Sequence, residues 1–258
     1  MHKLKIISIS AVVLLLVLFT IYSLQPEKSE IQEVPQSISA KKPIPDFSKY
    51  QISLEKKKAF FEYLRPSVET QNGHILRQRE FIQGLRAKHI SGEMISERQM
   101  QELEWLAKEY RVDMGEDLDP VFERLLNRVD IIPVELVLVQ SANESAWGTS
   151  RFAQKGYNFF GLWCFREGCG FVPKRRNDGA AHEVAKFNNL SRAMYTYMRN
   201  LNRHDAYREM RAIRKKLRDE MKPISAVAMT EGLLKYSERG EEYVHELKQM
   251  IRVNKEHM

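Results

Sequence analysis

The chain of 258 residues carries a net charge of +7 at pH 7, with 43% hydrophobic and 29% charged residues. This composition is typical of a globular protein and excludes a wholly disordered chain. The mean hydropathy of -0.46 excludes a transporter with many membrane spans. Two cysteines are too few for a disulfide-rich miniprotein or a four-cysteine zinc site. The positive charge suits an anionic partner without identifying it.

The N-terminal segment is typical of a membrane helix. Lys3 and Lys5 precede a run over 6–24 that contains no charged residue. As a helix this run would be about 28 Å long, close to the roughly 30 Å hydrocarbon core of a bilayer. The two lysines place the N-terminus in the cytoplasm. We expect a signal anchor over 1–24 in the inner membrane, with the remaining chain on the periplasmic side. The alternative is a cleaved signal peptide and a periplasmic protein.

The next part of the chain changes from a linker pattern to a helical one. Residues 25–46 contain four prolines, mixed charges and no sustained periodicity, which predicts a tether. We assign 47–130 to a helical N-terminal extension whose protein partner stays unknown. Its expected helices cover 54–64, a segment from Pro66 to about His89, 97–110 with Ser96 as N-cap, and a fourth opened by Asp119 and Pro120.

The C-terminal part, 131–258, is also mainly helical. A fifth helix begins at Pro133, is apolar on nearly all sides and is stopped by Gly148, which is typical of a helix at the centre of a core. Between Gly156 and Lys186 the pattern lapses and suits small strands. Four more helices are expected at 191–202, 205–220, 224–235 and 241–252. A basic run at 211–218 is interpreted as a solvated helix face, and we expect no nucleic-acid partner.

One carboxylate near the end of the fifth helix suggests catalysis. Burial of Glu144 beside apolar neighbours and Trp147 would raise its pKa, and the negative end of the helix dipole acts in the same direction. A carboxyl that stays protonated near neutral pH can act as general acid toward a glycosidic oxygen. Gln140 lies one turn earlier on the same face, where it can hydrogen-bond Glu144 or a sugar. The alternative is a solvated glutamate at a helix end.

The sequence around Glu144 resembles a known family. Segment 141–153, Ser-Ala-Asn-Glu-Ser-Ala-Trp-Gly-Thr-Ser-Arg-Phe-Ala, is similar to the active-site helix of bacterial cell-wall glucosaminidases, glycoside hydrolase family 73. The family's Asn-aromatic-Phe-Gly motif appears at 158–161, and later landmarks appear at 185–187, 191–197 and 205–207. The late Gly-Tyr-Ala motif is only partly met at 234–237. The preceding helical segment, with Leu64-Arg65-Pro66 and residues 72–77, resembles the Bax family of proteins related to the flagellar rod-cap muramidase.

This resemblance implies both a fold and an activity. The fold would be mainly α, a lysozyme-like α+β domain with a small β lobe, and the Glu144 helix would line its cleft. The activity would be an endo-β-N-acetylglucosaminidase that cleaves the β-1,4 bond after N-acetylglucosamine in peptidoglycan glycan strands, with Glu144 as catalytic acid. A lytic transglycosylase or muramidase, and a non-catalytic peptidoglycan-binding scaffold, stay open. We expect no cofactor and no metal.

The second carboxylate is where the chain departs from the family. Many members carry another glutamate in the β lobe, and none aligns there in this sequence. Glu183, Glu167 and Asp178 are nearby candidates, each with the alternative of a solvated loop charge. A substrate-assisted route through the sugar's acetamido group needs no second carboxylate, and neither does a transglycosylase in which Glu144 is both acid and base. Tyr236 is a candidate to orient the acetamido group or a water, with a core tyrosine as the alternative.

The remaining candidates concern substrate contacts and the cleft wall. Trp163 and Phe160 either stack on sugar faces or pack under the lobe, and Asn158 holds either loop backbone or a sugar amide. Cys164 and Cys169 would form a small-loop disulfide in an exported protein and stiffen the cleft wall. Three further residues complete the expected substrate-binding set: Trp147, Gly161 and Tyr243.

Overall fold

The computed structural model describes residues 29–173 and 182–258. The predicted anchor over 1–24 and the candidate Asp178 lie outside these residues. Residues 34–258 form one compact unit, and residues 29–33 belong to a separate N-terminal unit. Among the described residues, no helix is both long and apolar enough to cross a bilayer.

The compact unit is mainly helical, as the sequence predicts. Its helices are α1 (Ser53–Ser91), α2 (Glu97–Glu109), α3 (Asp119–Arg128), α4 (Val134–Ser145), α5 (Arg151–Gly156), α6 (Leu190–Arg203), α7 (Arg208–Asp219), α8 (Ala226–Thr230) and α9 (Glu241–Asn254). Its strands are β1 (Trp163–Cys164), β2 (Gly170–Phe171) and β3 (Glu183–Ala185). They form an antiparallel sheet in the order β1-β3-β2.

Helix α1 runs without interruption through Pro66, where the sequence predicts a boundary between two helices. That prediction is wrong. A proline inside a helix costs about 3 kcal/mol, because it removes one hydrogen bond and crowds the preceding turn. Burial of one face offsets this cost, since Leu64 and Val68 on either side of the proline are fully buried. The resulting helix packs against α3, α4 and α6.

The chain before α1 is attached to the compact unit from Val34 onward. The backbone N–H of Ser37 donates to Ser191 Oγ at 2.9 Å, and the hydroxyls of Ser37 and Ser67 share a hydrogen bond of 2.5 Å. Phe47 is fully buried and packs edge-to-face on Phe60. This arrangement differs from the tether expected over 25–46, because buried polar and aromatic contacts hold its second half in place.

Helix α4 lies at the centre of the core, as its apolar sequence predicts. It packs against α1, α8 and α9. It ends at Ser145, earlier than expected, because Ala146, Trp147 and Gly148 all adopt positive φ angles of 50°, 56° and 77°. A Cβ at position 148 would lie 2.4 Å from the Phe47 ring, so only glycine fits this turn. The extension and the Glu144 helix therefore share one core.

The second half of the basic run on α7, 215–218, lies largely exposed as the sequence predicts, but the first half does not. Arg211 and Arg214 are buried. Arg214 donates to the carbonyl oxygens of Asp130 and Ile131 at 2.8 and 3.0 Å. The Asp130 carboxylate in turn accepts two hydrogen bonds from Arg218. These buried arginines are tolerated because carbonyl oxygens accept from their Nη atoms, although Arg211 Nε has no hydrogen-bond partner among the described residues.

Candidate active site

A cavity of about 600 Å³ opens between the end of α4, the β lobe and α6. Cys164 of the predicted disulfide lines this cavity, as do five of the predicted catalytic and substrate-binding residues: Glu144, Phe160, Gly161, Trp163 and Tyr236. They come from separate parts of the chain, so the fold brings together residues that lie in different motifs of the sequence.

Glu144 occupies the last turn of α4, and the backbone of Gly161 passes close to its carboxyl. Gly161 has a φ of 64°, and a Cβ at this position would lie 3.2 Å from Glu144 Oε2. Glycine thus serves two purposes here, since it permits the left-handed backbone and leaves the carboxyl uncovered. The carboxyl remains accessible from the cavity.

The pKa of Glu144 lies above its ordinary value. Burial raises this pKa, a hydrogen bond from Tyr243 and the charge of Arg239 lower it, and the charge of Glu246 raises it. Burial outweighs the lowering influences. A carboxyl of this kind keeps its proton to higher pH and is suited to act as a general acid.

A directed chain of hydrogen bonds orients Glu144. Tyr197 donates from its hydroxyl to Gln140 Oε1 at 2.5 Å, and Gln140 Nε2 donates to the Tyr243 hydroxyl oxygen at 3.0 Å. With its oxygen occupied by Gln140, Tyr243 directs its own proton to the Glu144 carboxyl. The sequence analysis expected Gln140 and Tyr243 to contact substrate. Both side chains are fully buried, so they position Glu144 instead.

Tyr236 contributes to the cavity wall in another way. Its hydroxyl donates to the Phe160 carbonyl at 2.9 Å, and its ring stacks on Tyr243 with centroids 5.6 Å apart. Phe160 itself is buried and stacks on Tyr197 at 4.0 Å. These two aromatic residues therefore connect segment 158–161 to α6 and α9.

Asn158 holds loop backbone, the first of its two expected roles. Its Nδ2 donates to the carbonyl oxygens of Leu162 and Ala185 at 2.8 and 2.9 Å. Its Oδ1 accepts from the backbone N–H groups of Phe160 and Leu162. Because these four contacts use its polar atoms and the side chain is buried, Asn158 does not bind a sugar amide.

The candidates for a second carboxylate do not line the cavity in the part of the chain that the structure describes. Glu183 is buried and accepts hydrogen bonds from the backbone N–H groups of Gly168 and Gly170 at 3.0 and 2.7 Å. Glu167 is exposed within the disulfide loop. Within residues 29–173 and 182–258, Glu144 is the one carboxylate that lines the cavity.

Trp147 and Trp163, which the sequence analysis expected to contact substrate, have different surroundings in the structure. Trp147 is half-buried, packs edge-to-face on Phe60 and Phe61 of α1 and lies under Lys57, and it does not line the cavity. Trp163 lines the cavity and is 51% exposed, as a sugar-stacking residue requires. The predicted disulfide between Cys164 and Cys169 is confirmed.

Several residues that line the cavity were not predicted from the sequence. Phe165 lies inside the disulfide loop, lines the cavity and is 81% exposed. An aromatic residue flanked by two paired cysteines was the signal that could have identified it. The other missed residues include Arg111, Arg199, Arg203 and Tyr207. Their positions are far apart in sequence, so no local pattern predicts that they meet.

Two groups among the described residues have the spacing of metal ligands. Cys164 and Cys169 lie near Glu183, but both sulfurs are used in the disulfide. The other group, His89 with Asp117 and Asp119, lies largely exposed and does not line the cavity. Neither group contains Glu144, although Cys164 lines the same cavity.

Comparison with known proteins identifies the family of the chain. Residues 119–256 match the glucosaminidase family, which is described as mannosyl-glycoprotein endo-beta-N-acetylglucosaminidase. The chain is 32% identical over 227 residues to protein Bax of Escherichia coli strain K12, a match that covers 88% of this chain and 80% of Bax. No solved structure matches the chain. The chain thus belongs to the glucosaminidase family, is related to Bax, and is a peptidoglycan-related glycoside hydrolase.

Proposed function

We propose that this protein is an endo-β-N-acetylglucosaminidase that cleaves peptidoglycan glycan strands, with Glu144 as the general acid. The observation that carries this proposal is the Glu144 carboxyl itself. It faces the cavity beside Gly161, has a raised pKa and is oriented by Tyr243. The exposed rings of Trp163 and Phe165 on the same cavity provide flat apolar surfaces for sugar faces.

In the first step, protonated Glu144 would donate its proton to the glycosidic oxygen as the bond to C1 breaks. The C1 centre then needs a nucleophile. Since no second carboxylate lines the cavity in the described residues, the acetamido oxygen of the N-acetylglucosamine unit is the group best placed to attack C1. Water would then open the resulting ring, with ionised Glu144 accepting its proton.

The same observation supports a second candidate, a lytic transglycosylase. In that reaction the bond after the muramyl unit breaks, and Glu144 would next remove the proton from the C6 hydroxyl of this unit. The hydroxyl oxygen then closes onto C1 to give an anhydro ring. A single carboxylate suffices as acid and base, which fits the one carboxylate that lines the described cavity.

Digestion of purified sacculi by the full-length chain in detergent tests both candidates. Reducing N-acetylglucosamine ends support the glucosaminidase, and anhydro-muramic ends support the transglycosylase. We expect Glu144→Gln to lower the rate by about 10²- to 10⁴-fold. Glu167→Gln is the matched control, because Glu167 is exposed and does not line the cavity. Equal product from the Glu144→Gln variant would contradict both candidates.

We also propose that residues 1–24 anchor the enzyme in the inner membrane with the cavity in the periplasm. The support is the uncharged run after Lys3 and Lys5. The full-length chain should sediment with membranes and resist extraction with alkaline carbonate. A version without residues 1–24, exported by a cleavable signal, should be recovered in the periplasmic fraction. Release of the full-length chain by carbonate would contradict the proposal.

A further inference from the structure

One side of the Glu144 cavity is formed by three arginines from two different parts of the chain. Arg111 follows α2, in the helical extension, while Arg199 and Arg203 lie one turn apart on α6. All three line the same cavity as Glu144. The extension, for which the sequence suggested no chemistry, therefore contributes a cation to the candidate active site.

A fourth arginine holds this group together. Arg128 Nη1 donates to the carbonyl oxygens of Tyr110, Arg111 and Arg203 at 2.7, 2.9 and 3.1 Å. One guanidinium thus ties the end of α2 to the end of α6. Arg111 also adopts a φ of 57°, a left-handed conformation that is unfavourable for a residue other than glycine. The fold maintains this conformation and so keeps Arg111 at the cavity wall.

The positive charge of the three arginines that line the cavity exceeds the negative charge beside them, since Asp205 pairs with Arg128. Glu109 pairs with Arg199 and accepts a hydrogen bond from Tyr195, so its carboxylate is already engaged. Arg203 donates to the backbone oxygen of Glu109. Within the described residues, the Arg111 side chain makes no hydrogen bond or ion pair. Burial lowers the pKa of Arg203, and the charges of Arg199 and Arg111 lower it further, as expected of crowded like charges.

We infer that this arginine cluster binds a carboxylate carried by the muramyl unit of the substrate while Glu144 acts on the glycosidic bond. The inference rests on the proposed function and adds the group by which substrate is recognised. Hydroxyl and acetamido groups of a neutral sugar would leave the excess charge uncompensated. A carboxylate accepts two parallel hydrogen bonds from a guanidinium, which makes it the matching ligand. In peptidoglycan it comes from the lactyl group or from the stem peptide.

Binding to a full-length chain that carries Glu144→Gln tests the inference without requiring turnover. The three probes are a disaccharide with its stem peptide, glycan strands stripped of peptide so that only lactyl carboxylates remain, and a neutral N-acetylglucosamine hexamer. We expect the peptide-bearing probe to bind at least about fivefold more tightly than the hexamer at low salt. The stripped glycan strands should bind equally tightly if the lactyl carboxylate is the group that is recognised. The comparison of the two anionic probes identifies which carboxylate is bound.

Substitution of Arg111 provides the decisive comparison. Arg111→Gln should weaken binding of the anionic probe about three- to tenfold and leave binding of the hexamer unchanged. Arg111→Lys should restore only part of the affinity, because lysine keeps the charge but cannot donate two parallel hydrogen bonds to one carboxylate. Arg98→Gln is the matched control. It removes one positive charge from α2 at a side chain that is 79% exposed and does not line the cavity, so binding of all three probes should stay as in the parent.

The binding experiments test the arginine cluster independently of whether the protein cleaves sacculi. Equal affinity for the three probes, absence of binding, or equal weakening of all probes by Arg111→Gln would overturn the inference even if sacculi are cleaved. Conversely, charge-selective binding that depends on Arg111 would support it even if Glu144→Gln left the digestion of sacculi intact.

Discussion

The proton of Glu144 is under two opposed influences, since burial raises its pKa and the hydrogen bond from Tyr243 lowers it. A general acid works only while protonated, so its activity falls as the pH rises through its pKa. The position of that falling limb should therefore report directly on Tyr243.

We predict that Tyr243→Phe moves the falling limb of the pH profile of kcat to higher pH. Loss of the hydroxyl removes the hydrogen bond that favours ionised Glu144, so the pKa of Glu144 rises. The rate at the optimum should also fall several-fold, because the carboxyl loses its orienting contact. The measurement is the rate of sacculus solubilisation over a pH range from acid to mildly alkaline.

Tyr63→Phe is the matched control for this change. The Tyr63 hydroxyl is buried without a hydrogen-bond partner among the described residues and does not line the cavity. Its removal should leave the pH profile unchanged. A falling limb of the Tyr243→Phe variant that stays in place or moves to lower pH would show that Tyr243 does not donate to Glu144.

We predict that Gly161→Ala strongly reduces activity while the protein still folds. The added Cβ would lie 3.2 Å from Glu144 Oε2 and cover the acid from the substrate side. Gly168→Ala is a matched control, because Gly168 has a similar φ of 73° and a Cβ added there would meet nothing within 4 Å. Both variants should lose about 1–2 kcal/mol of stability from the left-handed backbone. Only the first should lose more than about tenfold in kcat/KM.

At the scale of elements, Glu183 joins the strands of the β lobe to the disulfide loop. Its carboxylate on β3 accepts from the N–H groups of Gly168 and Gly170, which lie on either side of Cys169. The arrangement explains how a very short sheet keeps its shape beside the cavity. It also indicates a structural role for a residue that the sequence had suggested as a second catalytic carboxylate.

We predict that Glu183→Gln lowers stability more than it lowers catalysis. A glutamine offers one acceptor oxygen, so one of the two backbone donors loses its partner at a cost of about 1–3 kcal/mol. The rate on sacculi should fall less than about tenfold below the unfolding temperature. Thermal unfolding and single-temperature rates, measured beside Glu144→Gln, distinguish the roles. A loss of about 10²-fold or more with unchanged thermal stability would instead assign Glu183 to catalysis.

The sequence predicts elements well where one local pattern determines them. The apolar run of α4, the Glu144 motif and the paired cysteines each carry their own signal, and all three appear in the fold. The helix boundary predicted at Pro66 is wrong because the free energy gained by packing α1 exceeds the local preference of proline for a helix end. The substrate contact expected of Trp147 is not seen because an aromatic residue beside the Glu144 motif can face either side of the turn. Arg111 could not be predicted, since its neighbours in the cavity come from a distant helix.

At the scale of the whole molecule, Asp130 connects the helical extension to the C-terminal helices. This buried carboxylate lies 3.7 Å from Arg79 of α1 and 2.7 Å from Arg218 of α7. Arg214 of α7, which is only 1% exposed, also contacts it. Burial raises the pKa of Asp130, but the hydrogen bond from Arg218 and the charges of Arg214 and Arg79 outweigh burial and lower it overall.

We predict that Asp130→Asn destabilises the entire compact unit. Arg214 would keep its buried charge without the carboxylate, which typically costs about 3–5 kcal/mol. For a unit of this size the thermal midpoint at neutral pH should fall by about 6–20 °C. Circular dichroism and tryptophan fluorescence should report the same midpoint, because α1 and α7 meet at this residue. The control is Asp219→Asn, which removes the partner of Lys215 from an exposed ion pair. Its thermal midpoint should change by less than about 2 °C.

The pH dependence gives an independent check on Asp130. Because its pKa is lower in the folded state than in the unfolded chain, its contribution to stability is complete above the ordinary value of 3.8 and is lost as the pH falls through the folded value. The difference in midpoint between the parent and Asp130→Asn should therefore be largest near neutral pH and shrink in strong acid. A difference that stays constant from neutral pH into strong acid would mean that the substitution acts through packing and not through the charge of Asp130.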